Sequence, residues 1–293
     1  MCEKGMMLLI ISWLFIPGSQ DKFLNKVKDV NADAFIFDLE DSVSNQDKKM
    51  ARIKVSRMVQ SFKQNRNYIR VNAISTEYFL DDLYETVTEG LSGIVLPKVN
   101  AKNDIVIVDY LLSAVERKIG LKEGTISVVP IIENALGLRN AFEIATSSER
   151  VKQLAFGAED FMLDLNVSTE ERKNGMTYVR SKLVADSRAA NIEPPIDAIY
   201  PDFKNEEGFK LDVEMGKQLG FQGKLLIHPK QIPVVTEIYA PTPEELDEAK
   251  RIVTSYEQAR QHGLGSIEVD GKMVDIPVAE RAKRILSYVD SSN

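Results

Sequence analysis

At 293 residues, with 44% hydrophobic and 28% charged side chains, the chain can fill a large core without staples, which argues against wholesale disorder. A formal net charge of −7 excludes a sequence-independent grip on nucleic acid, which needs clustered lysines and arginines against phosphates. A lone cysteine, Cys2, and only two histidines, His228 and His262, exclude an internal disulfide and a zinc cluster of Cys and His, so a reducing, cytoplasmic setting is expected.

The first apolar run, Met6 to Phe15, follows Lys4 as a secretory signal would. It is too short to span a bilayer, no small-residue cleavage site follows, and Pro17-Gly18 ends it as a turn ends a buried strand. No membrane partner is expected. Eight runs have strand length: Leu8 to Phe15, Ala34 to Phe37, Tyr68 to Val71, Gly93 to Leu96, Ile126 to Ile132, Gln153 to Phe156, Ile196 to Tyr200 and Lys224 to Ile227. Segments of helical spacing lie between them. Phe79, Leu80, Leu83 and Val87 are predicted to share one helix face, as are Ile105, Val108, Leu112 and Val115, and also Val179, Leu183 and Ala190 with Asp186 interrupting. Strands without period-two alternation fit a sheet covered on both faces, and eight strand–helix units match a closed (β/α)8 TIM barrel. A doubly wound sheet is the runner-up, but its G-x-G-x-x-G fingerprint and the phosphate-loop motif are missing.

After the eighth run the pattern changes. Thr242-Pro243-Glu244-Glu245 is a capping box with proline at the first helical position, opening a helix to about His262 that Gly263 and Gly265 end. Ser266 to Val269, the turn Asp270-Gly271 and Lys272 to Val274 read as a hairpin, followed by a helix from about Val278 to Val289. Val278, Ala282, Ile285 and Leu286 lie on one side of that helix. The expected organisation is a barrel over residues 1–240 and a helix–hairpin–helix extension over 241–293.

Parallel strands in such a fold point their carboxyl ends to one face, where the chemistry resides. Glu133 closes SVVPIIE and Asp160 closes QLAFGAED, so the two carboxylates read either as a shared site for magnesium, which prefers hard oxygen ligands, or as helix-capping acids. Asp38, Glu40 and Asp41 crowd the end of the second run, an arrangement explained by a nearby cation or arginine or by a solvated turn. Arg70 and Lys98 close the third and fourth runs. Either they neutralise these acids or they hold an anionic substrate, arginine offering a planar fork to a carboxylate or thioester oxygen. His228 ends the eighth run, where it could bond a substrate or simply shape the loop before Pro229. His262, at a helix C-terminus, is given a dipole contact and no catalytic role.

Eight segments in order, LFIPGS, FDLEDSV, IRVN, LPK, PIIENALG, FGAEDF, IHPKQI and DGKMVDIP, span nearly the whole chain and resemble the citrate lyase beta-subunit family, within the HpcH/HpaI aldolase/citrate lyase superfamily. The resemblance is closer to its stand-alone branch of citramalyl-CoA and malyl-CoA lyases. It implies a modified TIM barrel with Mg2+ on Glu133 and Asp160, and substrate contact by Arg70. It also implies that Phe15 and Lys26 lie along a coenzyme A thioester and that the backbone at Ile227 and His228 lines the pocket. Asp275 would be the acid/base, reaching the site of a neighbouring subunit in a homo-oligomer, a trimer or hexamer; read without the family it is a turn residue before Pro277. Two departures, Ile11-Ser12 where the family commonly has Arg-Ser and Gln20 where a basic residue often stands, remove positive charge near the expected thioester entrance.

The expected activity is magnesium-dependent, reversible Claisen-type cleavage of a 3-hydroxyacyl-CoA to acetyl-CoA and a 2-oxo acid. The alternatives are a citrate lyase beta subunit working with an acyl-carrier partner, a pyruvate aldolase acting on free acids, or a barrel that binds a CoA ester without turnover.

Overall fold

The structure, a computed structural model, describes residues 10–62, 66–168 and 176–292. Cys2 and the start of the first apolar run, through Leu9, lie outside the described residues. Eight parallel strands close into a barrel in chain order: β1 Ser12–Pro17, β2 Ala34–Asp38, β3 Arg66–Arg70, β4 Leu91–Leu96, β5 Ser127–Ile132, β6 Ala155–Phe156, β7 Ile196–Asp197 and β8 Gly223–Leu226. The ring closes where β8 pairs with β1. The expected TIM-like α/β fold is therefore the one found.

Every predicted run holds a strand, but the ends shift. Gln153 and Leu154 are buried yet precede β6, because apolarity follows burial whereas a strand ends where the ladder of hydrogen bonds ends. β2 is buried at all five positions. Ala34 and Ile36 join an interior cluster with Trp13, Tyr68, Val129, Ile131 and Leu225, while Phe35 and Phe37 are buried on the alternate face. Each such large apolar side chain contributes roughly 1.5–3 kcal/mol by leaving water.

The helix Lys102–Ile119 buries Ile105, Val108, Leu112 and Val115 as its spacing predicts. In the helix Phe79–Thr86 the expectation for Leu80 is corrected: Leu80 is exposed, and Asp82 faces inward beside Phe79 and Leu83. The reason is polar. Asp82 accepts from the backbone N–H and the side-chain amide of Asn72 in the loop after β3, which fixes the helix rotation. In the helix Thr177–Ala189, Val179 and Leu183 are buried, Asp186 pairs with Lys182, and Ala190 caps the end.

The described residues divide into two compact units, 10–236 and 237–292. In the second, the capping box forms, with the Glu245 N–H donating to Thr242 Oγ1 at 3.1 Å and the Thr242 N–H to Glu245 Oε2 at 2.9 Å. The helix runs Pro243–Gln261, and β9 Ile267–Val269 pairs antiparallel with β10 Lys272–Val274. Asp270 and Gly271 take φ of 51° and 77°, the left-handed pair that a two-residue turn of matching twist requires. Tyr256, Val274 and Ala279 make a small core with the closing helix Ile276–Ser292. Among the described residues no helix is long and apolar enough to cross a membrane.

Candidate active site

Parallel register brings the predicted residues together at one rim. Pro17 pairs with Asp38 and Asp38 with Arg70, so the ends of β1, β2 and β3 are level. Ile132 pairs with Phe156, which sets Glu133 beside Gly157 at the start of the helix Ala158–Leu165 that carries Asp160. A cavity of about 420 Å³ opens there. Its polar wall holds Asp38, Asp41, Arg70, Glu133, Glu159 and Asp160, and its apolar wall Phe15, Ile131, Phe156, Ile199, Leu225 and Ile227.

The acids after β2 have the arginine that their crowding called for. Arg70 donates from Nε to Asp38 Oδ1 at 2.7 Å and from Nη2 to Asp38 Oδ2 at 2.8 Å. Its Nη1 lies 3.1 Å from Glu40 Oε2, and the guanidinium stacks 4.8 Å above the Phe15 ring. The planar fork expected to grip substrate is thus engaged by Asp38, which leaves Arg70 facing the cavity as a fixed charge. Burial pushes the Asp38 carboxyl up, but the Arg70 charge and hydrogen bonds, helped by the N–H groups of Ser42 and Glu40, hold it below its ordinary value. Glu40 is raised instead, because its burial outweighs the attraction of Arg70 and Lys98. Lys98 Nζ donates to Glu40 Oε1 at 2.8 Å.

Glu133 is 4% exposed, and its Oε1 accepts from the Lys98 N–H at 2.5 Å. Lys98 takes a φ of 56°, the left-handed conformation in which its backbone N–H makes this bond. Burial, then the negative charges of Glu40 and Asp160, push the Glu133 carboxyl up to about 8. That is the electrostatic state of a carboxylate set whose repulsion a cation would relieve. Among the described residues no group of three or more His, Cys, Asp and Glu side chains forms a closed cage. Two hard oxygen donors fit magnesium, which commonly takes one or two carboxylates and fills its octahedron with water and substrate oxygens. Gly157 makes room for the pair: a Cβ there would sit 2.6 Å from Glu133 Oε2.

Three expected residues stand elsewhere. Lys26 is exposed at the start of the 3-10 turn Val27–Asp29 and does not line the cavity. Ile227 lines it, but His228 turns into a neighbouring cleft, stacked 4.9 Å from Phe203, with its Nδ1 accepting from the Lys230 N–H. The backbone N–H groups of Ile227 and His228 both donate to Gln231 Oε1, so this stretch is held by its own loop. Asp275 belongs to the second unit, where its Oδ1 accepts from the Val278 N–H and caps the closing helix. Sequence reasoning missed three residues that support this rim: Lys48, the buried first residue of the helix Lys48–Ser61, whose Nζ donates to the Leu39 and Glu40 carbonyls; Asn72; and Gly157. A lysine at a helix start carries no local mark of burial, and the glycine is legible only through its closeness to Glu133.

The model of the family described as HpcH/HpaI aldolase/citrate lyase matches residues 12–229, the span of the barrel strands. The chain belongs to this family. It is 36% identical over 283 residues to the citrate lyase subunit beta of Escherichia coli, covering 96% of this chain and 93% of that one. It is 31% identical over 299 residues to the L-malyl-CoA/beta-methylmalyl-CoA lyase of Cereibacter sphaeroides, covering 94% and 93%. Among solved structures, the protein CitE of Mycobacterium tuberculosis in complex with magnesium, acetoacetate and coenzyme A is similar with a TM-score of 0.78 at 27% identity, over 97% of this chain and all of that one.

Proposed function

We propose that the protein is a magnesium-dependent carbon–carbon lyase that cleaves a 3-hydroxyacyl thioester, of the citramalyl-CoA or malyl-CoA type, to acetyl-CoA and a 2-oxo acid. The observation that carries this reading is Glu133, buried and pushed up to about 8 beside Asp160 in a cavity that also holds Arg70. Bound on Glu133 and Asp160, magnesium would supply Lewis-acid polarisation of the hydroxyl oxygen that becomes the keto group. Arg70, held rigid by Asp38, would stabilise negative charge developing on the thioester oxygen without reorganising. The apolar wall of Ile131, Ile199 and Leu225 would keep water from the enolate of acetyl-CoA. As the keto group forms, the hydroxyl proton would leave to water, and Asp275 from a neighbouring copy of the chain, or a water, would protonate the enolate carbon, a role that demands closeness to that carbon.

A second reading, the beta subunit of a citrate lyase acting on a thioester held by an acyl-carrier partner, draws support from the 36% identity to such a subunit. The charge of the cavity favours the first. A citryl thioester keeps two free carboxylates, whereas Arg70 is the sole cationic side chain among the described residues lining the cavity and already pairs with Asp38 and Glu40.

The test is a panel of citramalyl-, malyl-, β-methylmalyl- and citryl-CoA assayed with magnesium for release of the short acyl thioester, propionyl from β-methylmalyl-CoA and acetyl from the others, alone and with an acyl-carrier protein. Turnover of the first three that Glu133→Ala abolishes is expected. Turnover confined to carrier-bound citryl groups would transfer the assignment to the second reading. Wild-type turnover in Glu133→Ala would remove the metal site.

A further inference from the structure

Lys48 is 6% exposed, and its ammonium makes three hydrogen bonds, to the Leu39 carbonyl at 2.7 Å, the Glu40 carbonyl at 2.8 Å and Asn72 Oδ1 at 2.7 Å. An ammonium has three protons, so its bonding capacity is filled, and no carboxylate takes part. Leu39 and Glu40 directly follow Asp38, and the Glu40 N–H donates to Asp38 Oδ1 within the same turn. Asn72 ties the other side, its side-chain amide donating to the Leu39 carbonyl at 3.0 Å and to Asp82, which in turn accepts from Arg52. A cation on carbonyls, rather than on acids, fixes backbone. The backbone fixed here carries the carboxylate that orients Arg70.

We propose that Lys48 is a positioning residue for the reaction: by clamping the Leu39 and Glu40 carbonyls it holds the turn after β2, and through Asp38 the angle of the Arg70 guanidinium. This inference rests on the role given to Arg70 above. A bidentate guanidinium–carboxylate pair transmits a tilt of one partner to the other, and a misplacement of about 1 Å can cost on the order of 100-fold in rate. Glu133 directly follows β5 and Asp160 lies on the helix Ala158–Leu165, so metal capture should not depend on Lys48.

The experiment compares the full-length chain with Lys48→Met, which keeps the aliphatic stem and removes the ammonium. Two readouts are taken: steady-state kinetics, and solvent exchange of the Arg70 Nε–H by NMR, assigned by its loss in Arg70→Lys. We expect kcat to fall about tenfold or more with KM within about threefold, magnesium affinity by calorimetry unchanged, and Arg70 Nε–H exchange about tenfold faster. A folded Lys48→Met with wild-type kcat and wild-type Arg70 exchange overturns the proposal. So does a variant that loses only thermal stability. Should Lys48→Met fail to fold, Asn72→Ser, which removes one acceptor of the ammonium, must shift both readouts in the same direction, and unchanged exchange there is equally decisive against it. If the wild-type chain turns over none of the thioesters, the proposed function fails, while Arg70 exchange in the two variants still decides the role of Lys48.

Discussion

Arg70 and Gly157 show how far single positions control this rim. Arg70→Lys keeps a positive charge but loses the fork that meets both oxygens of Asp38, so a carboxylate 2% exposed is left with a poorer partner. The expected outcome is a loss of about 100-fold in kcat with magnesium binding intact, read by parallel kinetics and calorimetry. Gly157 has an ordinary φ of −105°, so alanine is allowed by the backbone and its cost is steric. The added Cβ would lie 2.6 Å from Glu133 Cβ and Oε2 and 2.9 Å from Ile131 Cγ2. Gly157→Ala should therefore displace the Glu133 carboxylate and weaken magnesium binding by about tenfold, or about 1.4 kcal/mol. Unchanged affinity in a calorimetric titration would count against Glu133 as a ligand.

Between barrel and helices, buried charges fasten particular elements. Lys224 at β8 and Arg180 on the helix Thr177–Ala189 share Asp197 of β7 and Asp212 of the helix Glu206–Leu219, so four charges join two strands to two helices. Farther round, Arg150 bonds both oxygens of Glu116, near the end of the helix Lys102–Ile119, and the N–H groups of Ile126 and Gly124 add to them. Burial would raise the Glu116 carboxyl, but Arg150 and these amides hold it below its ordinary 4.5. A carboxylate lowered by folding stabilises the fold above its unfolded value and loses that contribution as pH falls through its folded value. The wild type should accordingly lose this stability below about pH 4.5. Glu116→Gln lacks it throughout: denaturant unfolding at pH 7 should show a loss of about 3 kcal/mol that narrows on acidification. A difference independent of pH would show that the pair's charge is unimportant.

For the whole molecule the decisive question is whether one chain makes a site. Asp275 caps its own helix in the unit formed by residues 237–292, while Glu133 and Asp160 sit at the barrel rim. If the acid comes from a neighbouring copy, Asp275→Asn and Glu133→Ala should each be inactive, yet co-assembled at equal ratio they should regain about a quarter of wild-type turnover, the share of sites that draw both intact residues in a heterologous ring. No recovery would place the acid within the same chain or in another residue. The sequence by itself determined the barrel, because eight short apolar runs alternating with helical faces have few other ways to bury both sides of a parallel sheet. It also determined that Asp38, Arg70, Glu133 and Asp160 would meet, since parallel strands deliver their carboxyl ends to one rim. Only the tertiary structure decided whom each side chain faces. Arg70 grips Asp38, 32 positions away, and Lys48 reaches Asn72 across 24, while Lys26 is exposed outside the cavity lining and His228 lines a neighbouring cleft. Such pairings depend on rotamer and register between segments distant in the chain, and periodicity along one segment carries no record of them.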